Sequence, residues 1–243
     1  MLEALKTTLI NVIYPPRCLA CAEPTDAPGG LCPGCWRETH FIHGTTCAKC
    51  GTPLIGEEAG PADLCEGCQR HPPAWDRGRA AVLYRGAARK VILGLKHGDR
   101  LDMVKPLAGW MATAGRPLLA ETDLIAPVPL HWRRLLRRRY NQSAELARRL
   151  AALSGKPAVV DLLTRRRFTT PQEGMNRETR LRNQAGAFLV TPRRVEAVRG
   201  KAVLLIDDVL TSGATLSACA DTLRAPGAAR VDVLVLARVA FED

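Results

Sequence analysis

The chain has 243 residues, 47% of them hydrophobic, which suits one full domain plus a small one and excludes a disordered chain. Its formal net charge is +11, yet residues 127–200 alone carry 17 Lys+Arg against 5 Asp+Glu. Basicity confined to one segment points to an anionic partner (phosphate, pyrophosphate or nucleic acid); the alternative is a solvated face.

At the start of the chain, apolar residues at positions 2, 5, 9, 12 and 13 fit one face of a helix, and Pro15-Pro16 closes it. Residues 1–16 therefore read as a docking helix. They contain no A-x-A-like cleavage site. The polar face has too little positive charge for a membrane-surface helix. No uncharged apolar run in the chain approaches the roughly 20 residues of a membrane span.

Residues 17–72 hold four CxxC pairs: Cys18/Cys21, Cys32/Cys35, Cys47/Cys50 and Cys65/Cys68. A CxxC turn directs two thiolates at one point, and two turns complete a tetrahedral site. A secreted disulfide framework is the alternative, but nothing here marks secretion, so zinc is expected. Two zincs with four thiolates each leave no open position, which makes both structural. Sequential pairing gives two ribbons, 18/21/32/35 and 47/50/65/68; interleaved pairing gives a cross-brace. The turn-rich loops at 22–31 and 51–64 favour ribbon tips and hence the sequential order. Two Zn2+ on eight thiolates lower the formal charge from +11 to +7 and leave the module acidic. The ninth cysteine, Cys219, falls in the series Leu216, Cys219, Ala220, Leu223, the buried face of a helix.

Beyond the module, Asp123 to Pro129 reads as a strand. His131 to Gln142 follows as a basic loop, and Ser143 opens an amphipathic helix through Leu153. Trp132 and Tyr140 lie inside basic runs, where they can stack bases or simply pack. Residues 164–188, with Arg165, Arg166, Arg167, Gln172, Arg177, Arg180, Arg182 and Asn183, read as a polar excursion. Val231 to Val239 reads as a last buried strand.

The stretch 202–216 carries the most chemistry. Ala202 to Ile206 is continuously apolar, as in a buried central strand. Asp207 and Asp208 come at its C-terminal end, where open α/β sheets bind ligands. Thr211, Ser212, Gly213, Ala214 and Thr215 then turn into a helix. Hydroxyls and free backbone N–H groups at a helix start can cradle a phosphate. A 5-phosphate there places a ribose over the acid pair. An ATPase acid motif would need a GxxxxGK[ST] partner, which is absent. Capping alone does not account for two adjacent carboxylates at a strand end. The pattern resembles the phosphoribosyl-pyrophosphate (PRPP) motif of type I phosphoribosyltransferases.

The whole chain resembles the ComF family of competence proteins. The resemblance rests on Pro15-Pro16-Arg17-Cys18 with the cysteine pairs, Leu95-Lys96-His97-Gly98, Pro127-Val128-Pro129-Leu130, Arg138 with Asn141-Gln142, Gln172, Arg180 and Asn183. It continues through Leu205 to Thr215. It implies an α/β fold: a type I phosphoribosyltransferase domain (Rossmann-like, mostly parallel sheet) over 76–243, preceded by a zinc-ribbon module with four cysteines per metal. It also implies PRPP bound with Mg2+, with Asp207 and Asp208 in the catalytic position. Lys96, Arg137, Arg138, Arg139, Asn141 and Arg180 fall on the pyrophosphate or nucleic-acid side. The implied setting is cytoplasmic, in natural transformation, with single-stranded DNA, a competence helicase and a recombination mediator as partners. One departure stands out: members usually read Arg-Gly-Phe-Asn-Gln where this chain has Arg138-Arg139-Tyr140-Asn141-Gln142. Two functions follow from these residues: a PRPP- and DNA-binding protein of DNA uptake, or an active phosphoribosyltransferase acting on a nucleobase or another nucleophile.

Overall fold

A computed structural model describes residues 15–54, 63–97, 100–167, 177–184 and 186–239. The docking helix expected over 1–16 lies almost wholly outside these residues. Four parallel strands form the main sheet in the order β1-β6-β5-β2: β1 is Gly78–Leu83, β6 Arg230–Arg238, β5 Ala202–Leu210 and β2 Leu124–Pro127. β5 and β6 are central and read as near-continuous apolar runs because both of their faces are covered.

The pleat sends alternate residues of β5 and β6 to opposite faces. Leu204, Ile206, Leu234 and Leu236 face one core with α3 (Gly86–His97), α4 (Val104–Ala114) and α7 (Gln142–Ser154). Val203, Leu205, Val233 and Val235 face the other with α10 (Ala214–Arg224). Cys219 is fully buried on α10 in this second core, as its helical spacing implies.

Between these elements lie α1 (Pro33–Glu38), α2 (Glu66–Arg70), α5 (Arg116–Glu121) and α6 (Trp132–Arg138). The described residues of the excursion read at 164–188 form regular elements. An antiparallel ribbon of β3 (Leu163–Arg165) and β4 (Phe188–Val190) forms its stem, and α8 (Arg177–Gln184) packs against α10. Helix α9 (Val195–Val198) leads into β5.

Helix α7, the second and longer of the two helices after β2, covers one face of the sheet, and α10, the helix that follows β5, covers the other. The carboxyl ends of these adjacent strands therefore flank a crevice, the place where open α/β sheets take ligands. The start of α7 and the acid pair of β5 meet there.

The cysteine module repeats one local design. Each half opens on an antiparallel bridge, Arg17–Pro24 or Thr46–Pro53, around a CxxC knuckle. Each continues to a short helix whose N-cap position is its third cysteine, Cys32 before α1 or Cys65 before α2. The segment joining the halves runs beside the outer edge of β1: Ile42 N–H donates to Ala81 O at 2.9 Å and Leu83 N–H to His40 O at 2.9 Å. Covering that edge removes the open row of strand hydrogen-bonding groups. Phe41 sits there, edge-on to Trp110 with ring centroids 5.1 Å apart.

Candidate phosphate site and cysteine centres

The cysteines gather in sequential order. The sulfurs of Cys18, Cys21, Cys32 and Cys35 lie within 4.8 Å of one another, as do those of Cys47, Cys50, Cys65 and Cys68. Cys21 and Cys32 sulfurs are 3.6 Å apart, and so are those of Cys50 and Cys65. A zinc with Zn–S bonds of about 2.3 Å has tetrahedral edges of about 3.8 Å. A disulfide needs about 2.05 Å. Each set therefore fits one structural zinc with every position filled by a thiolate.

The acid pair lies near the C-terminal end of β5, two residues before Leu210 closes the strand, and is held by the start of α7 and the end of α3. Ser143 Oγ donates to Asp207 Oδ1 at 3.0 Å, and the Asp208 backbone N–H donates to the same oxygen at 2.9 Å. Gln142 Nε2 donates to Asp208 Oδ2 at 2.7 Å. Lys96 Nζ pairs with Asp208 Oδ1 at 3.1 Å. Burial, and next the charge of Asp208, push the Asp207 carboxyl up to about 7. The backbone N–H of Asp208, the charge of Lys96 and the Ser143 hydroxyl oppose that rise.

The cup follows at once. Thr211 and Ser212 turn the chain, and Gly213 precedes α10 with φ +79°, the left-handed region that glycine enters without strain. A small cavity lies against Asp207, Thr211, Gly213, Ala214 and Thr215. In the same turn, Ser212 Oγ is buried with no hydrogen-bond partner among the described residues. A buried hydroxyl without a partner is costly, which fits a ligand oxygen as its missing acceptor. Arg238, itself buried, fastens the entry of the turn: its Nη1 donates to Leu210 O at 3.1 Å and to Thr211 O at 2.7 Å.

The basic segment expected as a loop after β2 is helical. His131 Nδ1 accepts from Arg133 N–H at 3.3 Å and caps α6. Arg139 ends that helix with φ +64°. This angle suits glycine, and here an arginine bears the strain. The Tyr140 hydroxyl donates to Leu95 O, so this ring is tied to α3. Trp132 is 57% exposed, with Arg133 over its ring at 5.2 Å.

Asn141 is engaged locally: its Oδ1 accepts from Ser143 N–H at 3.1 Å, capping α7, and its Nδ2 donates to Val128 O at 3.0 Å. Arg138 is half-buried in the last turn of α6 and the exposed Arg139 follows it, while the Arg137 side chain lies outside what the structure describes. Arg180 sits on α8, its Nε buried and without a partner among the described residues. Hence Lys96 joins the acid pair directly, whereas Asn141 shapes the backbone beside it. The holders Gln142 and Ser143, and the clamp Arg238, have no separate signal in the sequence. No helix among the described residues is long and apolar enough to cross a membrane.

Comparison with known proteins agrees with this division. Residues 9–69 match the double zinc ribbon domain family, and residues 141–240 match the phosphoribosyl transferase domain family. Competence protein F of Haemophilus influenzae is 29% identical over 228 residues, covering 91% of this chain and 96% of that protein. DNA utilization protein YhgH of Escherichia coli (strain K12) is 32% identical over 218 residues, covering 86% and 90%. With such likeness along nearly its whole length, the chain belongs to the ComF/YhgH family and joins a double zinc ribbon to a phosphoribosyltransferase domain.

Proposed function

We propose that this protein binds PRPP and single-stranded DNA and acts in DNA uptake. The observation that carries the first part is the meeting of an acid pair with a small cavity at the turn into α10. Thr211, Ser212, Gly213, Ala214 and Thr215 receive the 5-phosphate, with the Ser212 hydroxyl donating to one of its oxygens. Asp207 and Asp208 accept from the ribose hydroxyls, while Ser143, Gln142 and Lys96 keep the carboxylates oriented. Mg2+ supplies charge neutralisation at the pyrophosphate, whose protein side is furnished by basic residues among Lys96, Arg137, Arg138, Arg139 and Arg180. The two zincs are structural. The part in DNA uptake is supported by the names of the relatives, a competence protein and a DNA utilization protein. The concentrated basic charge of 127–200 supplies the affinity for a phosphate backbone.

The test is a thermal shift. PRPP with Mg2+ is expected to raise Tm by mass action, since only the folded cup binds it. Asp208→Asn and Thr215→Ala are expected to shrink that shift. Equal shifts in wild type and both variants would place the ligand elsewhere.

A second reading, turnover of PRPP, rests on Asp207. A carboxyl that changes protonation near pH 7 beside a ribose site is suited to acid–base work. Pyrophosphate release from PRPP with and without nucleobase acceptors decides between binding alone and transfer.

A further inference from the structure

The two cysteine sites are not equivalent in where they pack. Cys18, Cys32 and Cys35 form a small cluster of their own with Ala87 at the start of α3. Cys47, Cys50 and Cys68 belong instead to the core shared by α10, Leu210 and Trp75. Trp75 lies between the module and the sheet and is only 2% exposed. Its Nε1 donates to Lys49 O at 2.6 Å, and Lys49 Nζ returns a bond to Trp75 O at 2.8 Å. Lys49 stands inside the Cys47/Cys50 knuckle, so this pair of bonds ties the tryptophan to the metal turn itself.

The other side of the ring rests on the cup. A methyl group placed on Gly213 would come within 2.7 Å of Trp75 Cη2 and 3.3 Å of Cζ3. The glycine backbone and the indole are therefore in direct contact, at the residue whose left-handed angle starts α10. The far end of α10 grips the same segment: Arg224 Nε donates to Ala74 O at 3.1 Å, and Arg224 Nη2 pairs with Asp76 Oδ2 at 2.8 Å. Residues 74–76 thus touch α10 at both ends and the second knuckle in between.

We propose that Trp75 is a positioning residue that makes the shape of the cup at 211–215 depend on metal at the second cysteine site, and not at the first. The physical reason is that Gly213 has no side chain to hold its own angle; the indole wall supplies that restraint. The wall is placed by the Lys49 carbonyl, whose position is set by the thiolates on either side. Loss of metal frees the knuckle, the indole and then the turn. The inference rests on the reading of 211–215 as a phosphate cup for PRPP.

Hydrogen exchange on the full chain tests it without a ligand. In Cys65→Ser, which loses the second zinc, amides of 211–216 are expected to exchange at least ten times faster. In Cys21→Ser, which loses the first, they are expected to stay within twofold of wild type. Amides 203–206 and 231–236 report in every variant that the sheet is intact. Trp75→Ala is expected to behave like Cys65→Ser at the cup while keeping both zincs. Trp75→Phe, which lacks both the Nε1–H that binds Lys49 O and the outer ring carbons that meet Gly213, is expected to loosen the cup as Trp75→Ala does.

PRPP–Mg2+ affinity by calorimetry should follow the same order, at least tenfold weaker in Cys65→Ser, Trp75→Ala and Trp75→Phe and near wild type in Cys21→Ser. Should both cysteine variants loosen the cup equally, or neither, the coupling is refuted. The same holds if Trp75→Ala leaves its exchange unchanged. A cup that responds to the second site alone but never binds PRPP refutes the ligand reading and leaves the coupling standing.

Discussion

Lys96 Nζ lies 3.1 Å from Asp208 Oδ1, which joins the last turn of α3 to the end of β5 across the crevice. Both side chains are mostly buried, at 21% and 8% exposure. Removing one partner of such a pair leaves an uncompensated charge, at a cost of about 3–5 kcal/mol. Gln142 still donates to the other Asp208 oxygen, so Lys96→Met is expected at the low end, about 3 kcal/mol less stable by denaturant unfolding. The variant also removes one of the charges that hold the Asp207 carboxyl down, so its titration midpoint should move above 7.

Asp207 links stability and ligand binding to pH in opposite directions. Its carboxyl is raised from 3.8 to about 7 by burial and by the charge of Asp208. Between those values the folded protein holds a proton that the unfolded chain releases. Its contribution to stability is therefore greatest below pH 4, declines as pH rises and levels off above 7. PRPP affinity should rise over the range around pH 7, because only the ionised carboxylate accepts from the ribose hydroxyls without holding a proton of its own. Unfolding and calorimetry from pH 5 to 8 check both slopes. Asp207→Asn is expected to flatten the stability slope and to lose the rise in affinity centred near 7. The ligand's own phosphate titration is common to both proteins and cancels in the comparison.

The parts of this design that can be read from the sequence are those carried by short runs. Ala202 to Ile206 is apolar because both faces of β5 are covered, and Asp207-Asp208 and Gly213 follow within seven residues. The CxxC pairs are equally local, and their loops suggest the ribbon order that the sulfurs adopt. What escapes is long-range or short and charged. Ser143 and Gln142 reach the acid pair across 64 and 66 residues, and nothing near either one signals the partner. Trp75 meets Gly213 from a segment that looks like a linker. Helix α6 resembles a loop in sequence because arginines crowd residues 133–139. Its apolar residues Trp132, Leu135 and Leu136 stay exposed rather than marking a core face.

The arginine that closes α6 offers a separate handle on strain and function. Arg139 adopts φ +64°, which costs a non-glycine residue about 1–2 kcal/mol. Arg139→Gly is expected to stabilise the protein by about 1 kcal/mol, after the greater freedom of glycine in the unfolded chain is set against the relieved strain. Denaturant unfolding checks the gain. Should Arg139 also contact phosphate, the same variant becomes more stable while binding PRPP or DNA less tightly, a combination that a damaged fold cannot produce.

Helix α6 is expected to carry much of the DNA affinity. It exposes Trp132 at 57% with Arg133 against the ring, beside the arginines at 137–139. An exposed indole offers a stacking face to any base, whereas Tyr140 is held by its bond to Leu95. Trp132→Ala should therefore weaken binding to single strands by about 1–3 kcal/mol, with the salt slope unchanged, because stacking releases no counterions. Replacing Arg137, Arg138 and Arg139 together with Ala should act the other way round. Every phosphate that goes without its arginine lowers the slope of log K against log salt by about 0.7, so the triple variant gives up to about 2 units of slope. Sequence preference should hardly change, since phosphate contacts position the strand without reading bases. Filter binding across a range of salt separates the two effects. These arginines stand on the segment between β2 and α7, so labelled single strand titrated with PRPP–Mg2+ is expected to be displaced if the two ligands share them. Unchanged affinity and unchanged slope in both variants would reduce α6 to a solvated face and remove the main structural support for DNA binding.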